Sequence, residues 1–115
     1  MTFDVSTAKS AVTLAEAKAH LRVDHDAEDG LIEALCLACT QAAEHELLQP
    51  IITREGAEGL AEDAASVPAG IKQWILLHVG HFYENRAAAS ASTLNVLPHL
   101  DGLLAPWKVY WDETS

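Results

Sequence analysis

The sequence predicts an all-α fold: a small bundle of three main helices plus a short C-terminal helix, with a long loop between helices two and three. Three observations predict it. Apolar residues recur at helical spacing in three blocks, around residues 13–21, 30–49 and 69–89. Capping residues and prolines stand at the edges of those blocks. The length of 115 residues, with 50% hydrophobic letters, fits one domain with a core of its own.

Residues 1–12 carry no strong signal and read as a flexible N-terminus. "TLAEAKAHL" then opens the first helix. Thr13 is an N-cap residue and Glu16 stands three positions later, which makes a capping box. Leu14, Ala17 and Leu21 form its apolar stripe. "RVDHDAED" is a polar connector. Asp26 is placed to cap the second helix, and Glu28 and Asp29 put negative charge in its first turn, where the macrodipole favours it. That helix runs through "GLIEALCLACTQAAEHELLQ" to Pro50. Leu31, Ile32, Leu35, Cys36, Cys39, Ala42 and Ala43 read as its buried side, and Glu33, Thr40 and Glu44 as its polar side. Leu37 lies on the polar side and hints at a partner surface.

Residues 50–68 break the helical pattern and read as a long surface loop, with "IIT" as a short extended piece, one helical turn within it and Pro68 as a stop. Loops of this length are uncommon. "AGIKQWILLHVGHFYENRAAA" is the third helix. Ile71, Trp74, Ile75, Val79 and Phe82 centre its main face, and Leu76, Leu77 and Tyr83 spread apolar character around it. A helix apolar nearly all round is buried on more than one side. After the linker "SASTLN", the stretch "VLPHLDGLLAPWKVYWDETS" gives a short helical turn and an aromatic tail containing Leu103, Leu104, Trp107, Tyr110 and Trp111.

The formal charge is −10, from 17 acidic and 7 basic residues. Phosphate binding depends on Lys and Arg displacing counterions, so this balance argues against a nucleic-acid reader. It also argues against adhesion to an anionic membrane. No apolar segment approaches the ~20 residues that span a bilayer. The start "MTFDVSTAKS" lacks the features of a signal peptide. The expectation is a cytoplasmic protein with reduced thiols.

Two motifs invite a chemical reading. "CLAC" places Cys36 and Cys39 at redox-pair spacing, yet mid-helix on the apolar face, where burial raises a thiol pKa rather than lowering it. The alternative adds His78 and His81 of "HVGH" to make a zinc or redox site. The two-residue spacing between those histidines is shorter than the usual three to five or so of structural zinc sites. On an ideal helix the letters of "HVGHFYENR" diverge instead of meeting at one point, and catalysis needs convergence. No phosphate-binding glycine loop, GxSxG or HExxH is present. The sequence therefore predicts no catalytic residues, no metal ligands, no cofactor and no enzyme.

Three blocks together carry a resemblance. "TLAEAKAHLRVDHDAEDGLIEALCLACTQAAE", "VPAGIKQWILLHVGHFYENR" and "LPHLDGLLAPWKVYW" resemble, in order, the head–tail connector (adaptor) family of tailed bacteriophages and prophages. Members of that family open with an "L-x-E-A-K-x-H-L-R-V-D" segment, continue with "P-x-x-I-K-Q-A-I-L-L-L-V-x-H-W-Y-E-N-R" and close with "L-P-x-x-x-x-x-L-L-x-P-Y-R". Here the second helix ends in "HELLQP" instead of the family's aromatic-rich ending, and the closing "P-Y-R" reads "P-W-K". The resemblance implies a structural virion protein of the neck, assembled in the host cytoplasm as a homo-oligomeric ring of about a dozen copies. It implies the portal and a neck or tail completion protein as partners, with DNA passing through unbound. Trp74, His81, Phe82, Tyr83, Glu84, Asn85 and Arg86 are the matching signature positions, with a role in core or subunit packing. Leu103, Leu104, Trp107, Tyr110 and Trp111 form an expected docking tail within the single domain of residues 1–115. A small zinc or redox protein, or a generic helical packaging or tail-completion factor, stands as the alternative.

Overall fold

The first helix, α1 (Leu14–Leu21), starts where its capping box fixes it. In the computed structural model, which describes residues 5–85 and 98–108, the Glu16 N–H donates to Thr13 Oγ1 at 3.1 Å and the Thr13 N–H donates to Glu16 Oε1 at 2.9 Å. The helix stops at Arg22, held in the left-handed region at φ 61°. The amides of Arg22 and Val23 turn back to the carbonyls of Ala19 and Lys18, which satisfies the last turn. Thr13→Ala removes the cap, and the expected loss is about 1 kcal/mol. A thermal melt should register it as a fall of about 4 °C.

The second helix, α2 (Asp29–Leu47), differs from expectation at its start. Asp26 does not cap it through its side chain. Its carboxylate instead takes the Lys18 ammonium at 3.1 Å, and Asp29 takes the same ammonium at 2.8 Å. Lys18 thus ties α1 to the first turn of α2, where negative charge is already favoured. These two carboxylates, Asp29 first, hold the Lys18 pKa above its ordinary value.

The third helix, α3 (Ala69–Glu84), runs antiparallel to α2 and parallel to α1. Contacts at both ends set these directions. Tyr83, near the end of α3, donates its hydroxyl to Glu28 just before α2. Lys72 pairs with Glu16 at 2.6 Å, and Gly80 lies beside His20. Burial alone would raise the Glu16 carboxyl pKa; the Lys72 hydrogen bond and the Thr13 amide outweigh it, and the net shift is downward.

The core lies between α2 and α3. Ile32, Leu35, Cys36, Cys39, Ala43 and Leu47 meet Ile71, Trp74, Ile75, Val79 and Phe82, and Ala17 closes the α1 side. Two residues read as polar-side, Thr40 and Glu44, are completely buried, while Leu31, read as buried, is 37% exposed. The reason is that α2 is covered on a second side. Segment 5–12, read as flexible, packs there: Ala11 and Val12 are buried, and the Ala11 N–H donates to Thr40 Oγ1 at 3.1 Å.

The loop after α2 is a surface loop only in part, exposed at Glu55, Glu58, Glu62 and Asp63. Ile51, Ile52, Arg54, Ala61 and Val67 are all buried. The expected extended piece exists as isolated bridges, Ile52 with Ala61 and Arg54 with Ala57. The expected turn is a 3-10 turn, and it lies at Ala64–Ser66. A buried ion pair anchors the loop. Glu44 receives the Arg54 guanidinium at 2.7 and 2.9 Å and the Ile51 N–H at 2.8 Å, while Arg54 Nε donates to Thr7 at 3.1 Å. Gly59 sits so close to this strap that a Cβ there would lie 2.6 Å from the Ile51 carbonyl oxygen. The C-terminal helix takes the form of two 3-10 turns, Pro98–Leu103 and Ala105–Trp107. They lie over the start of α3, with Leu104 fully buried.

Candidate assembly surface

The signature positions of α3 divide into two groups. Trp74 and Phe82 are core residues, the first fully buried and the second 3% exposed. Neither can serve as a subunit contact. Trp74 stacks on His78 with ring centroids 3.8 Å apart, and His78 Nδ1 lies 2.8 Å from the Trp74 carbonyl oxygen. His78 is inside the core at 1% exposure. His81 is half-buried and meets Phe82 edge-on at 5.1 Å. Tyr83 is half-buried on Glu28. Glu84 and Asn85 are exposed, and the Asn85 side chain closes the helix by donating to the His81 carbonyl at 2.8 Å. Arg86 lies outside the described residues.

The zinc or redox constellation does not assemble. Among the described residues no group of three or more His, Cys, Asp or Glu side chains could hold a metal ion. Cys36 and Cys39 are buried and unpaired. Burial, helped by Glu33 and Glu16, pushes the Cys36 thiol up to about 11. Burial, helped by Cys36, pushes Cys39 up to about 12. Unfolded, these thiols ionise near 9, so above that pH the unfolded chain releases protons that the folded chain still holds. Folding stability should therefore fall as pH rises from about 9 towards 11. Urea unfolding across that range checks it, and Cys36→Ala/Cys39→Ala should flatten part of the slope.

The tail splits in the same way. Leu104 belongs to the core and Leu103 packs against it. The Trp107 ring covers Gly70, where a Cβ would come within 3.0 Å of it, and the Trp107 carbonyl accepts from Gln49. These three residues pack on the domain, Leu103 and Trp107 remaining half-buried. Tyr110 and Trp111 lie outside the described residues.

Among the described residues, two adjoining surfaces on α2 stand open. The first is the outward arc of α2. At 100° per residue, Gly30, Leu31, Ala34, Leu37, Ala38 and Gln41 share this arc. Leu31 and Leu37 flank it, each 37% exposed. No acid stands on it, although 17 of the chain's residues are acidic. The second is a groove of about 580 Å³ between segment 8–14 and the first half of α2. Val12, Leu14, Cys36 and Leu37 give it apolar walls, and Lys9 and Glu33 stand on its rim. Sequence reasoning flagged Leu37 but missed the groove, because its inner wall is the N-terminal segment read as flexible. It also missed the Glu44–Arg54 pair. The available signal was that Arg54 is the one Lys or Arg between Val23 and Ile71. No helix of the described residues is long and apolar enough to cross a membrane.

No curated protein and no solved structure matches the chain. The profile of one family, described as phage gp6-like head-tail connector protein, matches residues 11–98. That span runs from the buried Ala11 through all three helices to the first C-terminal turn. A match over this much of the chain, on a three-helix domain of the expected class, places it: the chain belongs to the phage gp6-like head-tail connector protein family.

Proposed function

We propose that this protein is a non-enzymatic structural subunit of the virion neck, closing into a homo-oligomeric ring of about a dozen copies beneath the portal. In this reading the ring extends the DNA channel and offers the next neck or tail protein a docking platform. The observation that carries it is the family match across residues 11–98. The two open surfaces support it. An apolar, acid-free helix face on a chain of charge −10 is where like-charged copies can approach with least repulsion. The groove adjoins that face, sharing Gly30, Ala34 and Leu37 with it, and widens the apolar area open to a neighbour. The acidic surface suits a channel wall that DNA slides past, since it offers phosphates few cations to hold. Glu84 and Asn85, exposed at the end of α3, fit a contact between neighbours, with Arg86 beside them in sequence.

Sedimentation of the protein with its portal tests the reading. The expected result is a co-sedimenting species many times the 12.4 kDa subunit mass. A protein that remains a monomer beside portal at high concentration overturns it.

A further inference from the structure

Segment 8–12 covers one side of α2, and its hold there is slight. Ala11 and Val12 are its buried side chains. Among the described residues, one hydrogen bond leaves it for the rest of the protein, from the Ala11 N–H to Thr40 Oγ1 at 3.1 Å. Its other bonds are internal and would travel with it. Ser10 Oγ donates to the Val12 carbonyl at 2.6 Å and accepts from the Val12 N–H at 3.4 Å. Lys9 is exposed and makes no ion pair among the described residues, whereas Lys18, Arg54 and Lys72 each hold a carboxylate. The groove of about 580 Å³ runs between this segment and α2, so the two are not packed along their whole length.

Both ends of the segment are fastened. Thr7 accepts from Arg54 Nε at 3.1 Å, and Thr13 is locked into the capping box of α1. A stretch with few buried contacts between two fixed points is where local opening costs least. The two thiols stand differently towards it. Cys36, 2% exposed, forms part of the groove wall; Cys39, 1% exposed, does not line the groove.

We propose that segment 8–12 is a latch: it lifts from α2 as a unit, pivoting at Thr7 and Thr13, while the three helices stay packed. Lifting uncovers Cys36 and Thr40, which join the exposed Leu37 in one wider face of α2. The sealed and lifted forms are two states of one chain. The Ala11–Thr40 bond and the Val12 side chain set the balance between them. The latch does not depend on the ring reading.

Thiol labelling of the wild-type chain at pH 8 tests it, with iodoacetamide as the probe and tandem mass spectrometry to place the label. Cys36 should be labelled at least tenfold faster than Cys39, at a rate nearly independent of urea below the unfolding transition. Cys39 should instead accelerate steeply with urea, since global unfolding exposes far more surface. Two variants separate the events. Ile75→Val weakens the core between α2 and α3 and should speed Cys39 labelling about 2- to 10-fold while leaving Cys36 unchanged. Val12→Ala should speed Cys36 labelling about tenfold, because two buried methyl groups hold the sealed form and not the lifted one. Equal rates for the two thiols, with the same urea dependence and the same response to Ile75→Val, overturn the latch. Faster labelling of Cys39 than of Cys36 also overturns it.

Discussion

Glu44→Ala is expected to remove about 3–5 kcal/mol of folding stability, the range for breaking a buried ion pair on one side. Glu44 is fully buried and the Arg54 side chain is 4% exposed, so the variant strands a guanidinium without its counter-charge. It also strands the Ile51 N–H, which has Glu44 as its acceptor. The strap of residues 51–61 then loses its anchor, and with it the contact from Arg54 to Thr7. A domain of this size has only about 5–15 kcal/mol of stability in total. The urea midpoint should therefore drop by a large fraction of its value, with the far-ultraviolet spectrum of any remaining folded protein unchanged. Glu44→Leu/Arg54→Met should recover most of the loss, because two apolar side chains can replace a buried pair with little penalty. A shift below about 1 kcal/mol for Glu44→Ala would show that the pair does not hold the strap.

The second large effect falls on assembly instead of folding. Leu31→Gln/Leu37→Gln should leave the unfolding midpoint within about 0.5 kcal/mol of the parent, since both side chains are partly exposed and glutamine is a good helix former. The same variant should lose self-association. Burying a leucine fully contributes about 1.5–3 kcal/mol. Because only 37% of each leucine remains to be covered, the pair weakens each subunit contact by about 1–2 kcal/mol, or roughly 5- to 30-fold in Kd. A ring compounds that loss at every contact. Sedimentation at matched concentrations checks it, and an unaltered ring would remove α2's outward arc from the interface.

Much of this fold was legible because its signals are local. The capping box of Thr13 and Glu16, the helical period of α3 and the stop at Pro68 each involve residues a few positions apart, where sequence spacing and spatial proximity agree. The errors share a different cause. Thr40 and Glu44 look like a solvent face because their letters are polar, yet each is buried by a partner distant in sequence: the amide of Ala11 for Thr40, the guanidinium of Arg54 for Glu44. Polarity predicts exposure only where no partner is waiting, and the partner here lies in a segment with no periodicity of its own. Asp26 failed as a cap for a similar reason, since Lys18 across the connector competes for its carboxylate. The candidate surface was legible in one residue, Leu37. The signature positions could not be sorted into core and contact from sequence. Trp74, Phe82 and Tyr83 are all large and apolar in character, and only the packing of α1 and α2 decides which are sealed.

The central claim is that these subunits form a ring on the portal. Electron microscopy of the protein mixed with its portal tests it most directly. The account predicts end-on views of a closed ring, coaxial with the portal and lost with Leu31→Gln/Leu37→Gln. Bare portals beside free monomers, at saturating concentration, would contradict it.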